Sequence, residues 1–115
     1  MMLSGYYKDV EAIEQTKYGT QKTVMRWLMS PDNGAPVFSM RVVTIQPGGF
    51  VGMHEHPYEH EVFVLSGTGT AKTQTESVDL KPGDFLFVPP DAGEHTFINT
   101  GDDVFEFICC IPNQT

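Results

Sequence analysis

Apolar and polar positions alternate in short runs along most of this chain, and turn residues interrupt the runs about every ten positions. The interruptions are Pro31-Asp-Asn-Gly34, Pro47-Gly-Gly49, Gly67, Gly69, Pro82-Gly83, Pro89-Pro90, Gly93 and Gly101. Between them lie stretches rich in Val, Phe, Ile, Thr and Leu, side chains that suit a half-buried pleated surface. Period-two alternation with such punctuation predicts an all-β sandwich or barrel. Strands are expected at 22–29, 37–46, 50–54, 60–66, 69–74, 77–80, 84–88, 94–99 and 104–111. Gly67-Thr-Gly69 reads as a hairpin turn. Residues 8–16 place Val10 and Ile13 at helical spacing, but the stretch is too short to hold a helix by itself.

Alternation also assigns faces. In Val104-Phe-Glu-Phe-Ile-Cys-Cys-Ile111, Phe105, Phe107 and Cys109 should point inward together, with Glu106 and Cys110 outward. Phe97 and Phe87 read as core or pocket wall. The last strand of the N-terminal thirty residues, Thr23-Val-Met-Arg-Trp-Leu-Met29, carries more apolar surface than one small barrel uses. Two placements stand: an edge strand on its own barrel, or pairing with a second copy in a homodimer. The chain thus divides into an N-terminal segment, 1–30, and a barrel, 31–115.

Composition narrows the partners. With 115 residues the chain is one domain by size. Seven Lys and Arg against 15 Asp and Glu give a net charge of −8. No basic cluster is available to neutralise phosphates or anionic lipid, so nucleic acid and membrane surfaces are not expected partners. The opening residues have no basic stretch leading into an apolar one, and Cys109 and Cys110 are adjacent strand positions that should not bridge. A reducing cytoplasm is the expected setting.

The chemistry gathers in His54-Glu-His-Pro-Tyr-Glu-His60, which holds three of the four histidines. The fourth, His95, follows the turn at 89–93. His54 and His56 are two apart, so in extended backbone they leave the same face. Pro57 marks a bend, and His60 opens the next strand. Two histidine-bearing strand ends can bring four imidazoles to one barrel mouth. Parity allows either His60 or Glu61 to face inward, not both.

These residues carry a resemblance. Gly48-x5-His54-x-His56-x3-His60-x6-Gly67 resembles the first cupin motif, and Gly83-x5-Pro89 followed by Gly93-x-His95-x3-Asn99 resembles the second. The likeness spans residues 40 to 112. It implies an antiparallel jelly-roll β-barrel with a divalent metal inside, held by His54, His56 and His95. Two departures stand out. The second motif's loop is longer and its glycine shifted, and most cupins place glutamate at the remaining ligand position. Counting from His56 and back from Gly67 both reach His60, and the chain looks most like single-domain cupins with four histidine ligands. Glu61 is the alternative.

Four neutral imidazoles leave a metal's +2 charge uncompensated, which favours an anionic or oxygen-rich small molecule. Manganese or iron follows from the resemblance. Nickel, copper, zinc and cobalt share the preference for imidazole. The pocket wall is expected to include Phe97, Phe105, Phe107 and Cys109. The expected activity is a metal-dependent, dioxygenase-like oxidoreductase. The alternatives are a non-catalytic ligand- or metal-binding module, or a metal-dependent isomerase or lyase.

Overall fold

The computed structural model describes residues 2–114. Among them are nine strands: β1 (Ile13–Glu14), β2 (Gln21–Met29), β3 (Phe38–His54), β4 (His60–Ser66), β5 (Gly69–Thr73), β6 (Ser77–Leu80), β7 (Phe85–Val88), β8 (His95–Asn99) and β9 (Phe105–Pro112). Three short 3-10 turns, Tyr7–Asp9, Lys17–Gly19 and Pro31–Asn33, lie between N-terminal elements. All pairings are antiparallel, and the order β6-β5-β8-β3-β9-β4-β7 curls into a nearly closed barrel. The all-β jelly-roll expectation holds.

β3 is the spine. Its first half, Phe38 to Ile45, pairs with β9, and its last residues pair with β8 from Phe50 to His54. The change of partner falls at Gln46-Pro-Gly-Gly49, where Pro47 has no N–H to give and Gly48 turns at φ 82°. Pro47-Gly-Gly49 was expected to separate two strands. It bends one strand instead, because the chain stays extended on both sides. β2 lies along β3 in the same chain, with Thr23 opposite Ile45 and Trp27 opposite Arg41. The stretch read as 8–16 supplies the Tyr7–Asp9 turn and the two residues of β1.

Alternation does set the core. In β4, His60, Val62 and Val64 are buried while Glu61, Phe63 and Leu65 are exposed. Val43, Ile45, Val62, Val64, Phe97, Phe105, Phe107 and Cys109 form one apolar cluster with Leu80, Val88 and Ile111. Phe107 bridges Phe97 and Phe105, at centroid distances of 4.9 and 5.2 Å.

Two expectations need correction. Gly67-Thr-Gly69 is not a hairpin: β4 pairs with β7 and β9, whereas β5 pairs with β6 and β8. Its chain crosses over Phe105, with the Gly69 Cα so close that a Cβ would meet the ring at 2.3 Å. Glu106 does not face water; it is 9% exposed. The N-terminal segment covers it, and its carboxylate accepts from Tyr7 Oη (3.0 Å) and Thr44 Oγ1 (2.8 Å). Of the two placements read for Phe87, core or pocket wall, it takes the second: it is half-exposed and edges the groove beside β5.

Candidate metal centre

The bend in β3 brings His54, its last residue, directly opposite His95, the first residue of β8. Opposed antiparallel residues have side chains on one face and near each other, and the two rings are 4.8 Å apart. His56 lies in the following loop, with its ring centroid 5.3 Å from that of His54 and 4.8 Å from that of His95. One ring nitrogen from each of these three lies within 4.8 Å of the others. His60, at the inward-facing start of β4, closes against His56 (centroids 4.3 Å) and stands 5.5 Å from His95. All four imidazoles therefore gather at one end of the barrel. Glu61 is on the outer face beside Glu59, whose hydrogen-bonding carboxylate pushes its pKa up to about 7.

The hydrogen bonds determine which nitrogens are available. His54 Nδ1 faces Gly52 O (2.7 Å), His56 Nδ1 faces Tyr58 O (2.9 Å) and His95 Nδ1 faces Gly93 O (3.2 Å). A carbonyl only accepts, so each Nδ1 must carry the proton and each Nε2 a lone pair. His95 Nε2 is buried and has no hydrogen-bond partner among the described residues. His60 differs. Its Nε2 meets His56 Nε2 closely and its Nδ1 faces Cys109 Sγ at 2.7 Å. Since His56 Nε2 is a lone pair, His60 Nε2 holds the proton between them and Nδ1 accepts from the thiol.

Burial favours the neutral form of His56, His60 and His95. Desolvation lowers the pKa values of His56 and His95. It holds His60 at about 2, and repulsion of a second proton by His56 and Arg41 adds to the effect. Neutral imidazoles with Nδ1 tied to carbonyls are the arrangement in which histidine binds metals. The donor set therefore fits a divalent transition ion: three lone pairs are already presented, and one has no other use in the fold.

Several neighbours were not foreseen. Tyr18 stacks on His54 at 4.8 Å and Tyr58 on His56 at 4.1 Å, both within 8° of parallel. Arg41 donates to Cys109 Sγ at 2.9 Å and lies 3.4 Å from His60 Nδ1. Arg41 had a visible signal: it is in phase with the inward positions Val43 and Ile45. Tyr18 had none, being far away in an irregular stretch. A cavity of about 240 Å³ is walled by His54, His56, His60, Tyr18, Tyr58 and Arg41, among others. A second, of about 300 Å³, reaches His95 past Leu86, Val88 and Phe97. Of the four residues expected to wall the pocket, Phe97 lines this second space and Cys109 touches His60. Phe105 and Phe107 are fully enclosed in the core behind them.

Known proteins share this frame. The polyketide cyclase RemF of Streptomyces resistomycificus superposes with a TM-score of 0.90 at 27% identity, covering 99% of this chain and 81% of its own. A predicted oxalate decarboxylase of Thermotoga maritima superposes at 0.80 with 25% identity, covering 97% of this chain and all of its own. An uncharacterized protein of Methanocaldococcus jannaschii is 27% identical over 90 residues, 76% of this chain and 71% of its own length. The sequence model of the cupin domain matches residues 41–111, well over half of the chain, and the chain belongs to that family.

Proposed function

We propose that the chain is a metal-dependent oxidoreductase of dioxygenase type, acting on a small oxygenated organic molecule, with His54, His56, His60 and His95 as the ligands. The observation that carries the metal site is the set of carbonyl-bound Nδ1 atoms, which leaves three Nε2 lone pairs gathered with His60 beside them. A bound divalent ion supplies Lewis acidity toward substrate oxygens and, for manganese or iron, one-electron chemistry toward dioxygen. His60 would serve as fourth ligand in its other tautomer, with the ring proton on Nδ1 facing Cys109 Sγ and the lone pair on Nε2. Tyr18 and Tyr58 hold two of the rings by stacking, and the Gly52, Tyr58 and Gly93 carbonyls set their tautomers. The wall of the 240 Å³ cavity has no carboxylate to act as a general base, whereas Glu76 and Asp91 stand in the wall of the space that reaches His95.

A redox-neutral lyase or cyclase is the second reading, favoured by the names of the two neighbours at 25% identity or more. Oxygen uptake by metal-loaded protein with β-diketones, catechols and 2-oxo acids, followed by mass spectrometry of products, separates the two. Turnover with no oxygen uptake selects the second. For the ligands, His54→Ala, His60→Ala and His95→Ala should each strip most of the metal, read by elemental analysis, while Glu61→Ala keeps it. A full site in His60→Ala and an empty one in Glu61→Ala would refute this set.

The proposal includes a homodimer in a reducing cytoplasm. Exposed Trp27 and Met29 near the end of β2, beside Leu3 and Tyr6, support the first, and two free cysteines fit the second. Light scattering on the purified protein tests the oligomer. Among the described residues no helix is long and apolar enough to cross a membrane.

A further inference from the structure

We propose that Arg41 anchors the carboxylate of a small oxo-carboxylate beside the histidine cluster. The inference rests on the metal site above and names the class of ligand that site takes.

Arg41 is 8% exposed. A buried cation is normally paired with an anion or richly hydrogen-bonded, because its desolvation cost is otherwise uncompensated. Among the described residues the one ion pair is Lys81–Asp84, so Arg41 has no carboxylate. Its Nη2 donates to the Cys109 sulfur (2.9 Å) and its Nη1 to the Met25 sulfur (3.6 Å), both weak acceptors. Its guanidinium lies 5.2 Å from the Trp27 ring centre. Nε is buried and, among the described residues, has no hydrogen-bond partner.

The cavity sharpens the point. The chain has 15 acidic and 7 basic residues, yet the charged side chains in this wall are Lys17 and Arg41, with no Asp or Glu. A site so placed in a protein of net charge −8 is selective for anions. A guanidinium edge, Nε with a neighbouring Nη, matches the two oxygens of a carboxylate. The 240 Å³ volume lies just below the roughly 300–1,000 Å³ of ordinary ligand cavities. A compact molecule fits, with one end on Arg41 and an oxygen donor toward the Nε2 atoms across the His60 ring.

Pyruvate and acetoin, an uncharged hydroxyketone of similar size that lacks the carboxylate, are suitable probes. Calorimetric titrations are made on metal-loaded and chelator-treated wild type, Arg41→Met, Arg41→Gln and Arg41→Lys, with metal content measured in each. The expected result is retained metal, with pyruvate affinity reduced about ten- to hundredfold in Met and Gln, less in Lys, and acetoin affinity unchanged. Arg41→Met should also melt no lower than wild type in the absence of pyruvate, since an unpaired buried charge is removed. Pyruvate affinity within twofold of wild type in Met and Gln overturns the proposal. So does the absence of pyruvate binding to any wild-type form, or unfolding of all three variants, which would make Arg41 structural. A wild type that takes up no metal but binds pyruvate through Arg41 sinks the metal reading and leaves this one standing.

Discussion

Gly52→Ala tests whether the histidine site depends on the N-terminal segment packed against it. A Cβ built on Gly52 lies 1.9 Å from the Tyr18 carbonyl oxygen and 2.6 Å from its carbonyl carbon. Ordinary contact begins at 3.4 Å, so the deficit is 3.4 − 1.9 = 1.5 Å. The obstacle is backbone, which a rotamer change cannot move aside. The Lys17–Gly19 turn has little slack. Tyr18 already sits in the left-handed region (φ 61°), the turn is closed by Thr20 N donating to Lys17 O (3.0 Å), and Gly52 N donates to Thr20 Oγ1 (2.9 Å). The turn must therefore lift away, carrying the Tyr18 ring off His54.

Overpacking of this kind costs about 1–3 kcal/mol. At roughly 4 °C per kcal/mol for a domain of this size, Tm should fall by about 4–12 °C. His54 would also lose its stacking partner, and the Gly52 carbonyl on its Nδ1 would shift. Loss of such outer contacts typically weakens metal binding about 10- to 100-fold. Differential scanning fluorimetry gives the first quantity and competition with a chromophoric chelator the second. Gly5→Ala is the control, since nothing lies within 4 Å of its added Cβ. A Gly52→Ala protein with wild-type Tm and wild-type metal affinity would refute the packing argument.

Chelator treatment of metal-loaded protein should lower Tm by about 10 °C where free metal stood at a hundred times Kd, since that saturation contributes about 2.7 kcal/mol; an unchanged melt would argue against a specific site. Phe105→Ala, at a position with no exposure, should cost about 3–5 kcal/mol by chemical denaturation. Tyr7→Phe removes one hydrogen bond to the buried Glu106 carboxylate and should cost about 1 kcal/mol. Burial, then the Glu106 hydrogen bond, raises the Tyr7 pKa above its ordinary 10.0. The folded value thus exceeds the unfolded one, so this contribution is complete below pH 10 and is lost as pH rises beyond it; denaturation curves from pH 9 to 11 should show that loss in wild type and not in Tyr7→Phe.

The outcome of each reading has a physical reason. Strand faces were legible wherever one side met the core and the other water, as in β4, because burial enforces the period of two. Clustering of three histidines in seven positions was legible because local spacing alone brings those rings near each other. Glu106 was misread because its strand is covered on both faces, and the cover comes from Tyr7, 99 residues away. Nothing local marks a contact of that range. The Gly67–Gly69 turn was misread for a related reason: a glycine shows that the chain can turn, but not which strand it will meet. Gly69 is small because Phe105 occupies the space where a side chain would go.

The bend in β3 joins these observations. Arg41 and His54 are 13 positions apart on one strand, and a straight strand rising ~3.3 Å per residue would separate them by about 43 Å. The longest dimension of the whole molecule is 42 Å. Both nevertheless line a cavity of about 240 Å³, so the strand has to fold back between them. Gln46-Pro-Gly-Gly49 is the one place where it exchanges β9 for β8. A Cβ at Gly49 would come within 2.8 Å of the Gln21 carbonyl and 2.9 Å of Lys22 Cβ, so β2 presses directly on the bend. The glycines that looked like a gap between two strands are therefore what lets one strand carry a guanidinium before the bend and an imidazole after it to the same small space.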